Sequence, residues 1–279
     1  KGKVPVLNIV GDHATYHVKY DAQLQSDIET VARNVSPGFV RTAKSTETLC
    51  QDAAEAIAAA RTAPGQVATL ILPADVSWGE GGVPSAPMAP PTPEPADDAT
   101  VEAIAKAIRS GKKTALLMGG HSLREPSILA AAKLAAHSGV TLLAETFPTR
   151  MERGAGLPYI ERIAYLAELA TVQLTDIEQL ILVDSKAPVS FFAYPGKKSY
   201  LVPDTCQVHT LAAPDQDILA SLNKLNDAVG ASQAQPKLQP EKRPGRPRGK
   251  LTAEKVCKAV GELMPENAII VDEGITSSL

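Results

Sequence analysis

The stretch that most constrains the fold is 114–120, Thr-Ala-Leu-Leu-Met-Gly-Gly. It predicts a short, wholly apolar strand that runs into a glycine turn. Helical patterns precede it at 101–110 and follow it at 127–138, and a second apolar run occupies 140–143. Uninterrupted apolar strands are typical of sheets that helices cover on both faces. We therefore expect an α/β fold with a doubly wound, parallel-sheet middle domain.

The turn at the end of this strand marks a candidate ligand crevice. Ligands of open parallel sheets bind beyond the carboxyl ends of the strands, which is where Gly119, Gly120 and His121 fall. Glycines allow a tight turn and also let a backbone approach a ligand closely, so the pair supports either role. Neither GxGxxG nor GxxxxGK[ST] occurs, so the usual nucleotide fingerprints are missing.

Composition narrows the class of protein and its partners. A length of 279 residues allows two domains and part of a third, and a hydrophobic content of 44% with 21% charged residues predicts a packed globular protein. A net charge of −3 and a pI near 6.0 give no reason to expect a nucleic-acid or membrane partner. The cysteines at 50, 206 and 257 show neither metal spacing nor a disulfide framework, which favours a reducing, cytoplasmic location.

The predicted element order of the first part of the chain, 1–82, is β, loop, α, β, α, β, which is typical of a parallel sheet. The predicted strands are 4–10, 39–41 and 67–72, and the predicted helices are 27–33 and 46–61. Thr46 is the expected cap of the second helix. The Pro- and Gly-rich residues 83–99 predict a linker.

The middle domain is expected at 100–229. It contains further predicted strands at 180–183, 199–202 and 207–211 and predicted helices at 159–168 and 216–228. A polar linker with four prolines, 230–251, leads to a last segment, 252–279. That segment predicts a helix at 252–264 and a strand at 268–271. Because a lone helix and strand do not make a domain, we expect the chain to be an internal fragment of a larger protein.

A polar loop, Gly11-Asp12-His13, follows the first predicted strand, where a ligand loop belongs. His13 and His17 are four residues apart and would bind a metal only from one helix face, with a third ligand such as Asp12. A loop makes that geometry doubtful. The other interpretations of Asp12 and His13 are solvated loop side chains or active-site contacts.

The basic run 242–250, Lys-Arg-Pro-Gly-Arg-Pro-Arg-Gly-Lys, resembles a minor-groove arm of the AT-hook type. It lies between two segments predicted to fold, and no other basic patch accompanies it. Because charged, proline-rich runs are ordinarily solvated, we favour a linker and expect no nucleic-acid partner.

The segment 273–278 follows a predicted strand and offers a glycine, backbone donors and hydroxyl groups. Donors of this kind at the end of a strand can hold a phosphate by their N–H groups.

With all segments laid out, the chain resembles thiamine diphosphate-dependent enzymes of the acetolactate synthase and benzoylformate decarboxylase type over nearly its whole length. Residues 5–11 are similar to a strand of that family that leads into a glycine loop. Residues 64–76 are similar to the "GPV…IPxDV" segment that ends its pyrimidine-binding domain. Residues 116–120 and 140–154 are similar to its Rossmann-like middle domain. Residues 252–276 are similar to the start of its diphosphate-binding domain, "LPEDAIIVxDxG".

The resemblance implies carbon–carbon bond chemistry on 2-keto acids, with thiamine diphosphate and Mg²⁺ as cofactors of the intact protein and a homodimer or homotetramer as its assembly. It implies that Gly274, Ile275, Thr276 and Ser277 contact the diphosphate. Asp12 falls where the family often has an active-site Gln, with His13 beside it, so the substrate is left open.

Two departures qualify this expectation. The resemblance places the family's activating glutamate before residue 1 and its Gly-Asp-Gly metal motif after residue 279, so no catalytic or metal-ligating residue is expected within the chain, and the fragment alone is expected to be inactive. Residues 183–189 replace the Gly-x-Arg-x-Asp stretch that accompanies FAD in acetolactate synthases, so FAD is not expected. The alternatives are a 2-keto acid decarboxylase of the benzoylformate decarboxylase type, and a non-catalytic domain that binds an adenine nucleotide or acyl-CoA.

Overall fold

A computed structural model describes residues 2–274, and every strand pair in its two sheets is parallel. The chain divides into two compact units. The first comprises Lys1–Glu152 and Ile160–Lys237, and the second comprises Arg153–Tyr159 and Leu238–Leu279. The first unit holds both sheets.

The smaller sheet has three strands, in the order β1-β3-β2. The strands are β1 (Val6–Asp12), β2 (Val40–Thr42) and β3 (Val67–Pro73). The central strand β3 pairs with β1 from Val6↔Val67 through Asp12↔Pro73. All three strands were predicted, each with small shifts at its ends.

The helices of this part are α1 (Ile28–Val35), α2 (Thr46–Arg61) and α3 (Ala74–Trp78). The bounds of α2 are those predicted, but Ser45 caps it, because its side chain accepts a hydrogen bond from the N–H of Thr48 at 3.4 Å. The small core between α2 and the sheet is built on Ala43, Ala56, Leu70 and Val76. The short helix α3 was not predicted.

The larger sheet has five strands, in the order β6-β5-β4-β7-β8. The strands are β4 (Thr114–Met118), β5 (Thr141–Ala144), β6 (Glu161–Arg162), β7 (Gln179–Val183) and β8 (Gln207–Ala212). From β4 the chain adds strands on one side and then crosses to pair β7 on the other side, so the order reverses between β4 and β7. The predicted doubly wound, parallel α/β class is confirmed.

Helices α4 (Asp98–Arg109), α5 (Glu125–Ser138), α6 (Ala167–Leu174) and α7 (Ile218–Val229) accompany this sheet. Every residue of β4 and β7 is buried, as expected of central strands. One cluster joins Leu117 and Leu182 of the sheet to Ala170 and Leu174 of α6. Helix α7 contacts both α4 and α5.

Two predicted elements of the middle domain are wrong. Of the helix predicted at 159–168, only 167 and 168 are helical, as the start of α6. Residues 159–166 form β6 and the approach to α6, because the N–H of Ile163 bonds to the carbonyl of Ala144 and Ile160 and Ile163 are both buried. Residues 199–202 form only an isolated antiparallel bridge between Tyr200 and Val189, although Leu201 and Val202 are buried. Both segments bury apolar side chains without forming the predicted element.

The first predicted linker has no regular structure from 79 to 97, but contacts hold its end. The N–H of Ala96 donates to the hydroxyl of buried Ser221 at 2.9 Å, and Lys224 Nζ donates to the carbonyl of Ala96 at 2.9 Å. The end of the linker is therefore bound to α7.

The second unit contains helix α8 (Ala253–Leu263), which Thr252 caps by accepting from the N–H of Lys255 at 3.3 Å. Arg243, from the basic run, donates to the carbonyls of Gly261 and Met264 at 3.2 and 2.7 Å, so this arginine caps the end of α8. The predicted strand 268–271 is wrong: the segment has no regular structure, and Ile269, Ile270 and Val271 are exposed. Within residues 2–274, no helix is both long and apolar enough to cross a bilayer.

Candidate functional site

The carboxyl ends of β4, β5 and β7 meet at the point where the strand order reverses, which is the usual ligand position in this fold. The structure brings three groups together there: the Gly119-Gly120 turn after β4, Glu145 after β5 and Asp184 after β7. Asp184 is wholly buried and has a positive φ of 49°. We call this place the switch-point crevice.

The two glycines are required by close approach within the protein. A Cβ at Gly119 would lie 2.7 Å from the carbonyl oxygen of Asp184 and 2.9 Å from the carboxyl carbon of Glu145. A Cβ at Gly120, which has a φ of 46°, would overlap the Asp184 carboxylate. Of the two roles considered for this pair, the geometry supports the structural turn.

Both carboxylates accept hydrogen bonds from the backbone of the turn. The N–H of Gly120 donates to Glu145 Oε1 at 3.1 Å, and the N–H of His121 donates to Asp184 Oδ2 at 2.6 Å. The His121 side chain is exposed, and its Nδ1 lies 3.6 Å from the same Asp184 oxygen. In nucleotide-binding folds, backbone N–H groups at this position donate to a phosphate. Here the same groups donate to carboxylates of the protein itself.

A lysine from the segment before β1 completes the cluster. Lys3 Nζ donates to the Asp184 carbonyl at 2.9 Å and forms an ion pair with the Asp184 carboxylate. Burial raises the pKa of Glu145, and the charge of Asp184 raises it further, while the Gly120 N–H and the Lys3 ammonium act in the opposite direction. The crevice is thus acidic and contains its own cation.

An exposed aromatic patch lies on the loops of the same sheet edge. Five of the chain's 11 aromatic residues (one Trp, six Tyr and four Phe) form it, through ring contacts with centroids 4.7–6.4 Å apart. They follow β5, β6 and β7 and are Phe147, Tyr165, Phe191, Phe192 and Tyr194. The loops after these strands therefore carry an apolar surface that was not predicted from the sequence.

The structure places Asp12 at the last position of β1 and His13 immediately after it, and both are partly exposed. Asp12 Oδ1 accepts from the N–H of His13 at 2.7 Å, and the rings of His13 and His17 are 5.4 Å apart. His17 precedes a single 3-10 turn rather than standing on an α-helix, so the i, i+4 metal geometry is not formed. In the described part of the chain, no group of three potential ligands could hold a metal ion.

A contact that the sequence analysis missed fixes this loop. Asp75, in the first turn of α3, accepts from the N–H and the hydroxyl of Thr15 at 2.9 and 2.5 Å. The hydrogen bonds from Thr15 lower the pKa of Asp75. Because β1 and β3 end side by side, the loop after one can bond to the helix after the other. The loop that begins with His13, directly after Asp12, is therefore held at the carboxyl edge of the small sheet.

Of the four residues expected to contact the diphosphate, only Gly274 lies in the described residues, and Ile275, Thr276 and Ser277 lie outside them. The N–H of Gly274 donates to Asp272 Oδ1 at 2.9 Å. Backbone N–H groups and hydroxyls are suitable donors for a diphosphate. These contacts to the diphosphate stay a prediction.

In the switch-point crevice, the residues not predicted from the sequence are Lys3, Glu145 and Asp184. Glu145 directly follows an apolar strand at the predicted ligand edge, which is a usable signal. Lys3 carried no such signal, because 181 positions separate it from Asp184.

Comparison with known proteins gives one curated relative. The chain is 46% identical over 283 residues to the "Putative acetolactate synthase large subunit IlvX" of Mycobacterium tuberculosis, and the match covers 99% of this chain and 52% of that protein. The chain thus spans about half the length of the curated relative it matches. No protein-family model matches the chain.

The solved structures that share this fold include one from Mycobacterium smegmatis and one from Polynucleobacter necessarius. A "putative thiamin diphosphate-dependent enzyme" from Mycobacterium smegmatis has a TM-score of 0.73 at 18% identity, covering 95% of this chain and 54% of its own. Benzoylformate decarboxylase from Polynucleobacter necessarius has a TM-score of 0.66 at 16% identity, covering 96% of this chain and 53% of its own. At these identities the likeness is one of fold.

Proposed function

From the confirmed resemblance to thiamine diphosphate-dependent enzymes of the acetolactate synthase type, we propose that this chain is part of such an enzyme, which makes or breaks carbon–carbon bonds of 2-keto acids. The observation that carries the proposal is the 46% identity to the curated relative across 99% of the chain. The parallel fold and its likeness to two solved structures of this kind support it.

Surface exposure supports a larger intact protein. Ile9, on strand β1 at the edge of the small sheet, is 63% exposed, and Val31 and Val35 on α1 are 70% and 58% exposed. Exposed apolar side chains at a sheet edge and on a neighbouring helix are typical of surfaces that lie against further protein. A homodimer or homotetramer of the intact protein would supply such a cover.

Within the proposed enzyme, thiamine diphosphate with Mg²⁺ supplies the carbanion and the electron sink. Gly274, Ile275, Thr276 and Ser277 would hold its diphosphate through N–H groups and hydroxyls. Asp12 and His13 would face the active site from the carboxyl edge of β1, held there by the contact between Thr15 and Asp75. No catalytic or metal-ligating role is proposed for residues of this chain.

The test is titration of thiamine diphosphate and Mg²⁺ into the intact protein, followed by turnover of pyruvate. Acetolactate as product would support the synthase, whereas release of CO₂ with an aldehyde product would favour the decarboxylase of the benzoylformate decarboxylase type. Absence of any thiamine diphosphate binding would contradict both. An Asp12→Ala variant that binds the coenzyme normally but changes the KM for the keto acid would support the active-site position of this residue.

The alternative of a nucleotide- or acyl-CoA-binding domain is not favoured. The N–H donors of the switch-point crevice bond to Glu145 and Asp184, and both of these groups carry the charge sign of a phosphate when ionised.

A further inference from the structure

The switch-point crevice has the position of a phosphate site but the opposite charge preference. We propose that it is an internal ammonium site, in which Lys3 is the resident cation, and that this arrangement excludes phosphate-bearing ligands from the crevice. The proposal does not depend on the catalytic function and concerns only groups within the first unit.

The first argument concerns hydrogen-bond donors. A phosphate at a strand end is held by successive backbone N–H groups. In this turn the N–H of Gly120 bonds to Glu145 and the N–H of His121 bonds to Asp184. Glu145 and Asp184, which follow the two strands on either side of β4, thus accept the hydrogen bonds that phosphate oxygens would otherwise accept.

The second argument concerns space. The Gly119 Cα lies so near Asp184 and Glu145 that a single added carbon would be 2.7–2.9 Å from their atoms. A phosphate is much larger than a methyl group, so it could enter only if both carboxylates moved away. Asp184 is fully buried and its backbone N–H bonds to Ala212, which opposes such a movement.

The third argument concerns charge. A buried carboxylate is strongly destabilising unless a cation or several donors accompany it. Asp184 has both: Lys3 contacts its carboxylate and its carbonyl, and the N–H of His121 donates to its second oxygen. Only 24% of the Lys3 side chain is exposed, so its ammonium is largely removed from solvent and paired with Asp184.

The first experiment is a thermal double-mutant cycle on the full chain with Lys3→Met, Asp184→Asn and the double variant. Breaking a buried pair leaves one group uncompensated, so we expect each single variant to lower the Tm by about 5 °C or more. The double variant should lose clearly less than the sum of the two. Lys44→Met, at an exposed lysine of the same unit, is the control and should leave the Tm almost unchanged. Additive losses would overturn the proposal.

If Asp184→Asn does not fold, Lys3→Arg gives the second comparison. Arginine keeps a cation and its donors, so this variant should retain most of the Tm that Lys3→Met loses. Equal losses in Lys3→Arg and Lys3→Met would contradict a role for the positive charge.

The second experiment asks which ligands the crevice accepts. ADP, NAD, FAD and CoA should leave the Tm of the wild type unchanged, and a saturable rise that Asp184→Asn alters would overturn the exclusion of phosphates. Propylammonium should raise the Tm of Lys3→Ala more than that of the wild type, with tetramethylammonium at equal ionic strength as the reference. The same response of both proteins to propylammonium would contradict an ammonium site.

Discussion

Asp75 accepts a hydrogen bond from the backbone N–H of Thr15 at 2.9 Å, and this contact joins the loop after β1 to the helix after β3. The loop contains His13, beside Asp12 at the end of the strand. Two elements that are 60 positions apart in sequence thus set the position of the residues proposed to face the active site.

The first prediction concerns this contact. Replacing Asp75 with Ala removes the acceptor, so the Thr15 amide should exchange its hydrogen severalfold faster, while amides of β1 that pair with β3 should not change. Asp75→Asn keeps an oxygen acceptor and should preserve much of the protection. Hydrogen exchange followed by mass spectrometry or NMR measures this. Equal protection in the wild type and Asp75→Ala would show that the contact does not hold the loop.

The elements predicted well from the sequence are those whose signals are local. Helix α2 was predicted to the residue because Pro64-Gly65 follows its end and its alanines and leucine recur at helical spacing. The parallel sheet followed from wholly apolar runs such as β4 and β7, which are buried on both faces.

The elements that were missed depend on distant partners. Strand β6 has two exposed residues, Glu161 and Arg162, and exists because it pairs with β5. The segment 268–271 has the apolar pattern of a strand, but a strand needs a pairing partner, and its side chains are exposed in the structure. The ion pair between Lys3 and Asp184 likewise arises only when the fold brings the two residues together.

A second prediction concerns the pH dependence of stability through Glu145. Its pKa in the folded protein is raised above the ordinary 4.5, mainly by burial, so the native state retains this proton more readily than the unfolded chain. The contribution of Glu145 to stability therefore falls as the pH rises from 4.5 through the raised pKa, and the loss is complete above it. Glu145→Gln does not titrate, so its Tm relative to the wild type should increase across that range.

The control for this prediction has the opposite sign. A hydrogen bond from Thr42 lowers the pKa of Glu29, so the stability that Glu29 contributes is present above 4.5 and is lost as the pH falls through the lowered pKa. Glu29→Gln should therefore be less stable than the wild type near neutrality and approach it in acid. Thermal unfolding from pH 3 to 8 compares both variants. A Glu145→Gln difference that is independent of pH would contradict the prediction.

A third prediction tests whether the linker is docked on α7. Ser221 is fully buried, and its hydroxyl accepts from the N–H of Ala96 at 2.9 Å. Ser221→Ala would leave that N–H without this acceptor in a buried place, so the free energy of unfolding should fall by about 1–3 kcal/mol. Ser85→Ala removes a hydroxyl of the same linker that makes an exposed hydrogen bond to Gln51, and should change the free energy of unfolding by less than about 0.5 kcal/mol. Urea unfolding measures both variants, and similar effects from the two would show that the linker is not docked.

The last prediction separates backbone strain from crowding at the switch-point crevice. Gly120 and Gly139 both have a positive φ, 46° and 71°, so an alanine at either position incurs a left-handed backbone cost of about 1–2 kcal/mol. A Cβ at Gly139 would have nothing within 4 Å, whereas a Cβ at Gly120 would overlap the Asp184 carboxylate. Gly120→Ala should therefore lower the free energy of unfolding by about 1–3 kcal/mol more than Gly139→Ala does, because overpacking is added to the strain. Urea unfolding of the two variants measures the difference. Equal losses would mean that the carboxylate can move aside, and the crevice would then have room for a ligand after all.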